Sequence, residues 1–302
     1  MAAGRTHQCA AARAATAAQR PVKSDPVKTF DPSETAPRHN KPHVARKRFG
    51  QNFLHDSGVI NRIVLSISPQ PQDRLIEIGP GQGALTFPLL RAAKRLTVIE
   101  LDRDLIEPLR ERARAHGEIE IISADVLKID FTELAAGGLL RIVGNLPYNI
   151  STPILFHCLE HAAVIQDMHF MLQKEVVERM AAGPGSKTYG RLSVMLQLRC
   201  KVEPLFEVPP TSFTPAPKVD SAIVRLIPLS SSEQLSFDQG VLERVVRAAF
   251  AQRRKTLSNA LSGVASVAQL ESIGIDPRTR AEQVAPAMYV KLAQLLSATM
   301  TE

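Results

Sequence analysis

From residue 57 onward, apolar segments alternate between strand-like runs and helix-like periods, and that alternation constrains the fold more than any single residue does. Helical periodicity over 58–66 leads through Pro69 and Pro71 into the apolar run 74–79, which reads as a buried strand closing on a glycine loop. Helix 84–93, strand 96–100, helix 104–116 and strand 120–123 follow. Strand 139–143, helix 154–161, strand 168–172 and helix 174–182 continue the series. Strand–helix–strand spacing of this kind requires parallel strands joined by helical crossovers, an α/β domain with a doubly wound sheet covered on both faces. After residue 200 the alternation breaks. Segments 202–208 and 222–229 are both strand-like, and the Pro-rich link 209–220 is too short for a helical crossover, so the two should pair antiparallel. The Ser-rich stretch 230–236 reads as a linker, and beyond it only helical periodicity remains, over 241–251, 256–261, around 268–273 and over 289–298. The expected layout is a tail over 1–45, an α/β domain over 46–230 and a small all-helical domain over 237–302.

With 44% hydrophobic residues the chain can bury a sizeable core, yet no stretch approaches the ~20 apolar residues of a membrane span. Cys9, Cys158 and Cys200 lie too far apart for a zinc knuckle or a disulfide framework. The net charge of +7 is unevenly placed: residues 1–48 hold ten Lys/Arg against three Asp/Glu, which leaves 27 basic and 27 acidic residues in 49–302. The folded part is neutral overall, so any nucleic-acid face must be a local patch. Residues 1–45 are Ala-rich, dotted with Pro and without Leu or Ile, a composition that cannot offset the entropy of ordering; the tail is expected to be disordered. No acid precedes Asp25, as in an organelle-import leader, but methyl groups alone give no apolar stripe for an import helix.

A glycine loop after the first strand of a parallel sheet marks the expected ligand site, because the carboxyl ends of the strands open there. Here the loop is Gly79-Pro80-Gly81-Gln82-Gly83. A dinucleotide fingerprint needs Gly-x-Gly-x-x-Gly to meet a pyrophosphate, and position 84 is Ala. The tighter spacing suits a ligand without phosphate, pressed on the backbone by an amino-acid end, such as S-adenosylmethionine. Glu100 stands 21 residues after Gly79 at the end of the second strand, placed to accept hydrogen bonds from both ribose hydroxyls. Asp125 ends the third strand region and is placed to accept from an adenine amino group, with the Val126 amide beside it.

The fourth strand ends in Gly144-Asn145-Leu146-Pro147-Tyr148-Asn149. This polar–apolar–Pro–aromatic signature is what methyl transfer to a planar amine requires. The exocyclic nitrogen of a base is a poor nucleophile, since its lone pair is delocalised into the ring. The Asn145 side-chain oxygen and the Leu146 carbonyl can accept the two amino hydrogens and favour a pyramidal nitrogen. Pro147 fixes the turn, and Tyr148 offers a stacking face worth about 1–3 kcal/mol. The methylated ammonium product is itself acidic, so positioning and electrostatics suffice without a strong general base.

Asn145-Leu-Pro-Tyr148, together with Lys47-Arg-Phe-Gly-Gln-Asn-Phe-Leu54, Phe213-Thr-Pro-Ala-Pro-Lys-Val-Asp220 and Phe250-Ala-Gln-Arg-Arg-Lys-Thr-Leu257, closely resembles the ribosomal RNA adenine dimethyltransferases, in particular their bacterial small-subunit branch. The resemblance spans roughly 44–298. It implies a Rossmann-like class I S-adenosylmethionine-dependent methyltransferase sheet with a small all-helical C-terminal domain. It also implies dimethylation at N6 of two adjacent adenosines in the 3′-terminal hairpin of small-subunit (16S) rRNA, by a cytoplasmic monomer with no metal and no membrane association. From the family, Asn52 and Leu54 would fold over the cofactor with Gln51 close by, and Phe213 would supply a second aromatic, so that the target adenine lies between Tyr148 and Phe213. Dimethylation of large-subunit RNA, as in the erythromycin-resistance enzymes, uses the same chemistry; Leu146 in place of Ile favours the small-subunit branch. A non-catalytic assembly or transcription factor reusing the fold is countered by intact Gly79, Glu100, Asp125 and Asn145–Tyr148, and a nicotinamide dehydrogenase by the loop spacing.

A base inside a duplex cannot reach such a site and must be flipped out or already unpaired. Basic groups expected to hold the RNA backbone are Arg46-Lys47-Arg48, Lys187 and Arg191 near the loop at 183–186, and Arg253-Arg254-Lys255, with Arg244 and Arg247 two or three turns earlier. His157 and His161 lie four apart on a helix without a third ligand at suitable spacing, so they read as core or surface histidines.

Overall fold

The computed structural model describes residues 51–252 and 254–299. The expected disordered tail, the basic run that includes Arg48, and Arg253 lie outside the described residues. The chain order is β1 (Phe53–Leu54), α1 (Ser57–Ile67), β2 (Arg74–Ile78), α2 (Thr86–Ala93), β3 (Arg95–Glu100), α3 (Arg103–Ala113) and β4 (Glu118–Ser123). Next come α4 (Phe131–Ala135), β5 (Leu140–Asn145), α5 (Ser151–Glu160), β6 (Ile165–Gln173), α6 (Lys174–Ala181), α7 (Arg191–Gln197), β7 (Cys200–Val208), β8 (Phe213–Thr214) and β9 (Ser221–Pro228). The helices α8 (Gln239–Ala251), α9 (Leu257–Ala260), α10 (Val267–Ser272) and α11 (Pro286–Thr299) complete it.

Seven strands form one sheet in the order β4-β3-β2-β5-β6-β9-β7. The first five are parallel, and β9 runs antiparallel to both β6 and β7, as the short Pro-rich link requires. Buried Leu75, Ile76 and Ile78 make β2 apolar on both faces, the pattern of a central parallel strand. Pro204 is tolerated in β7 because that strand is an edge, and the pairing with β9 shifts register between Pro204 and Phe206. Helix α1 covers one face with Ile60, Ile63, Val64 and Ile67, spaced at helical period, and Asp56 caps it by accepting from the Val59 amide at 3.0 Å.

Besides the short α4, which also falls where no element was expected, two features depart from the sequence expectation. Helix α7 falls in a stretch with no expected element, and Val194, Met195 and Leu198 around it pack with Leu242, Val246, Leu270 and Tyr289 of the helical region. Tyr189 joins them, donating its hydroxyl to the Val284 carbonyl at 2.9 Å. Residues 182–198, placed by sequence in the first domain, thus share the core of the second. The other departure is a two-stranded ribbon: β1 pairs antiparallel with β8, Leu54 opposite Phe213.

Candidate active site

The chain runs outward from β2 through β3 to β4, then returns to β5 on the other side of β2. Strand order reverses there, and the carboxyl ends of β2 and β5 flank the resulting crevice. Ile78 pairs with Gly144, so the glycine loop and the tip of β5 emerge side by side. A Cβ at Gly144 would come within 2.6 Å of the Ile78 carbonyl oxygen, which is why the strand can carry only glycine at that point.

Gly79, Gly81 and Gly83 have φ of +66°, +55° and +87°, a left-handed path that glycine follows without strain. Gly79 donates its amide to the Ile99 carbonyl at 2.9 Å, and Gly81 donates to Glu100 Oε2 at 3.2 Å. Glu100 accepts the Asp102 amide on Oε1 at 2.7 Å, and its burial pushes the carboxyl pKa up. The Leu101 amide also bonds this carboxylate, so backbone donors hold it in place at the cavity, where it can still accept from a ligand hydroxyl. Glu77, from β2, is 2% exposed; burial pushes its pKa up to about 8, against the opposing effect of the Thr86 hydroxyl, which donates to Oε2 at 2.7 Å. Asp125 caps the turn Val126–Lys128 through the Leu127 amide at 3.0 Å.

At the tip of β5, Asn145 donates Nδ2–H to the Asn52 carbonyl at 3.1 Å, which leaves Oδ1 as the carboxamide's acceptor. The turn after it closes with the Ile150 amide on the Pro147 carbonyl at 3.1 Å and runs straight into α5. Tyr148 is half-buried and shares a 2.6 Å hydrogen bond with the Ser221 hydroxyl. The segment 51–54 crosses between these parts: Gln51 donates to Asp102 Oδ2 at 3.2 Å, and the Phe53 ring lies 3.3 Å from where a Gly81 Cβ would stand. Together they enclose a cavity of about 400 Å³, within the range of small-molecule sites. Asn52, Leu54, Gly79, Gly81, Glu100, Asp125, Asn145, Leu146, Pro147 and Tyr148 all line it.

Phe213 is not brought to that lining. The β1–β8 pairing turns it into the core, 3% exposed and packed with Leu54, Val208 and Ile223, so the expected sandwich with Tyr148 is not made in this arrangement. Arg191 opens α7 and is exposed; Arg254 and Lys255 are exposed in the turn between α8 and α9. His157 Nε2 lies 2.8 Å from the Ile129 carbonyl and His161 Nδ1 lies 3.0 Å from the Thr132 hydroxyl. Among the described residues no group of three or more His, Cys, Asp or Glu could hold a metal. Sequence reasoning missed Ser221, one position beyond the Phe213–Asp220 motif; its partner lies 73 residues away, and only the sheet brings the two together.

Residues 42–298 match the family described as "Ribosomal RNA adenine dimethylase". A "Ribosomal RNA small subunit methyltransferase A" from Xanthomonas campestris pv. campestris (strain B100) is 59% identical over 251 residues, covering 83% of this chain and 96% of its own. Its namesake from Marinobacter nauticus (strain ATCC 700491 / DSM 11845 / VT8) is 56% identical over 257 residues, 85% of this chain and 93% of its own. Among solved structures, a dimethyladenosine transferase from Plasmodium falciparum aligns with a TM-score of 0.72 at 27% identity, over 82% of this chain and 98% of that one. The 23S rRNA methyltransferase ErmE aligns with a TM-score of 0.63 at 28% identity, over 82% and 100%.

Proposed function

The chain belongs to the ribosomal RNA adenine dimethylase family, and on that premise we propose that it methylates adenine N6 in small-subunit (16S) rRNA. The targets are two adjacent adenosines in the 3′-terminal hairpin, each carried to N6,N6-dimethyladenosine. The observation that carries this reading is the Asn145 carboxamide, tied through Nδ2 to the Asn52 carbonyl so that an acceptor oxygen remains at the cavity beside Tyr148.

S-adenosylmethionine, when bound, supplies a methyl group on a positively charged sulfonium. The residues fit it. Gly79 and Gly81 let a ligand approach the backbone, and a Cβ at Gly81 would crowd Phe53. Glu100 faces the cavity as an acceptor for the ribose hydroxyls, and Asp125 with the Val126 amide suits an adenine edge. Glu77 carries a carboxyl that regains its charge beside a cation.

The protein's own part is to place and polarise the amine. Asn145 Oδ1 and the Leu146 carbonyl accept the two amino hydrogens, which localises the nitrogen lone pair. Tyr148 stacks the base, and segment 51–54 shuts water from the cavity. The proton leaves the acidic product ammonium without a dedicated base. No step calls for a metal. The protein works as a monomer on the small ribosomal subunit in the cytoplasm, with Arg191, Arg254 and Lys255, and with Arg48 and Arg253, gripping the RNA backbone. The large-subunit alternative is not favoured: the relatives named for the small subunit reach 59% identity, against 28% for ErmE.

Asn145→Ala tests the reading. Methyl transfer to undermethylated small subunits should fall by about 100-fold or more, while calorimetric affinity for S-adenosylmethionine stays near wild type. Equal turnover would contradict the role given to this residue.

A further inference from the structure

The Pro-rich loop ends on a residue that the mechanism above does not use. Ser221 opens β9, pairs with Gln173 of β6 and Val208 of β7, and is 0% exposed. Its position is therefore set by the sheet, which is the least deformable part of the domain. Its hydroxyl lies 2.6 Å from that of Tyr148. The only other Tyr148 bond described is at the backbone, where the Ser151 hydroxyl donates to the Tyr148 carbonyl at 3.2 Å. That contact holds the turn and puts no hydrogen bond on the ring itself. A bond at the phenol oxygen resists the swing about χ1 that carries the whole ring, while rotation about χ2 leaves that oxygen in place. Burial raises the Tyr148 phenol pKa, so the hydroxyl stays protonated at neutral pH and the bond persists.

We propose that Ser221 is a positioning residue for the target base: by holding the Tyr148 phenol oxygen it fixes where the ring stands, so that an adenine stacked there presents its amino group to Asn145. The inference rests on the adenine-methylation reading and deepens it. A ring swung aside about χ1 still allows the base to enter, but with the nitrogen displaced from its two acceptors, and transfer depends steeply on such alignment. The subunit meanwhile docks through phosphate contacts elsewhere on the protein, so a misplaced base lowers the productive fraction of bound complexes rather than docking itself. The loss belongs in kcat, not in KM for the subunit.

The test is a double-mutant cycle on methylation of undermethylated small subunits by the full chain, using wild type, Ser221→Ala, Tyr148→Phe and the pair. Each single change removes the same bond, so kcat should drop about threefold to tenfold in either, and the pair should lose no more than one of them. KM for subunits and calorimetric affinity for S-adenosylmethionine should match wild type in all. Tyr148→Phe, at a half-buried ring, keeps the question answerable if Ser221→Ala fails to fold. Additive losses, an unchanged kcat in Ser221→Ala, or a loss that appears instead in cofactor affinity would overturn the inference. Wild-type protein that leaves adenine N6 unmodified would overturn the underlying reading before any variant is compared.

Discussion

Glu77 stands at the cavity wall with its carboxyl out of water, and burial more than any partner decides its protonation. With a folded pKa of about 8 against 4.5 for the free side chain, the folded state binds more protons than the unfolded one between those values. The contribution of Glu77 to the stability of the ligand-free protein therefore falls as pH rises from about 4.5 through about 8, opposed up to about 6.5 by buried His169, whose pKa is pushed down to about 4. Glu100, whose pKa is also raised, adds to the fall in the same sense. Glu77→Gln mimics the protonated acid and should flatten the profile. Thermal melting at pH 5 and pH 8.5 checks this; a variant whose melting temperature drops as steeply as wild type would remove Glu77 from the account. At this scale the sequence was most legible in its short motifs: Gly79, Gly81, Glu100, Asp125 and Asn145–Tyr148, read from such motifs, all line one cavity. Phe213 and Ser221 were not legible, because the first is turned inward by a strand pairing and the second acquires its partner only through the sheet.

Among the elements, the glycine loop divides into two parts with different duties. A Cβ at Gly83 would stand 2.4 Å from the Phe87 ring and 3.0 Å from Leu109, with φ at +87°, so Gly83 serves the packing of α2 against α3. Gly83→Ala should cost about 2–4 kcal/mol of stability, from overpacking and the left-handed backbone together. Gly81→Ala meets only the edge of the Phe53 ring at 3.3 Å but still carries left-handed strain at φ +55°, so it should cost less stability than Gly83→Ala while weakening S-adenosylmethionine binding. Denaturant titration and calorimetry on both variants separate the two duties; equal stability losses would contradict the division. The parallel strands and their crossovers follow directly from apolar periodicity. Helix α7 did not, being seven residues long and apolar on more than one side, a pattern as compatible with a strand as with a helix. The β1–β8 ribbon has two residues per strand, too few to show any period.

Across the whole molecule, neutral overall charge in 49–302 requires that any RNA grip come from local patches. Arg191 opens α7 and Arg254-Lys255 lie in the turn between α8 and α9, and α7, α8 and α9 contribute to one apolar core, so these cations are held by a common body. Reversing Arg253, Arg254 and Lys255 to Glu should weaken binding to small subunits and lower its salt slope by roughly two or more, with cofactor affinity intact. Binding that keeps its strength and its salt dependence would place the RNA elsewhere. The layout of an α/β domain followed by helices was legible from periodicity; the sharing of 182–198 between the two cores was not, since it depends on which face of a short helix meets a distant one. The most direct measurement is to incubate the purified protein with isotope-labelled S-adenosylmethionine and undermethylated small subunits, then map the labelled nucleotides. The label should fall on two adjacent adenosines of the 3′-terminal hairpin as N6,N6-dimethyladenosine; label on other nucleotides, on other atoms or nowhere would contradict the account.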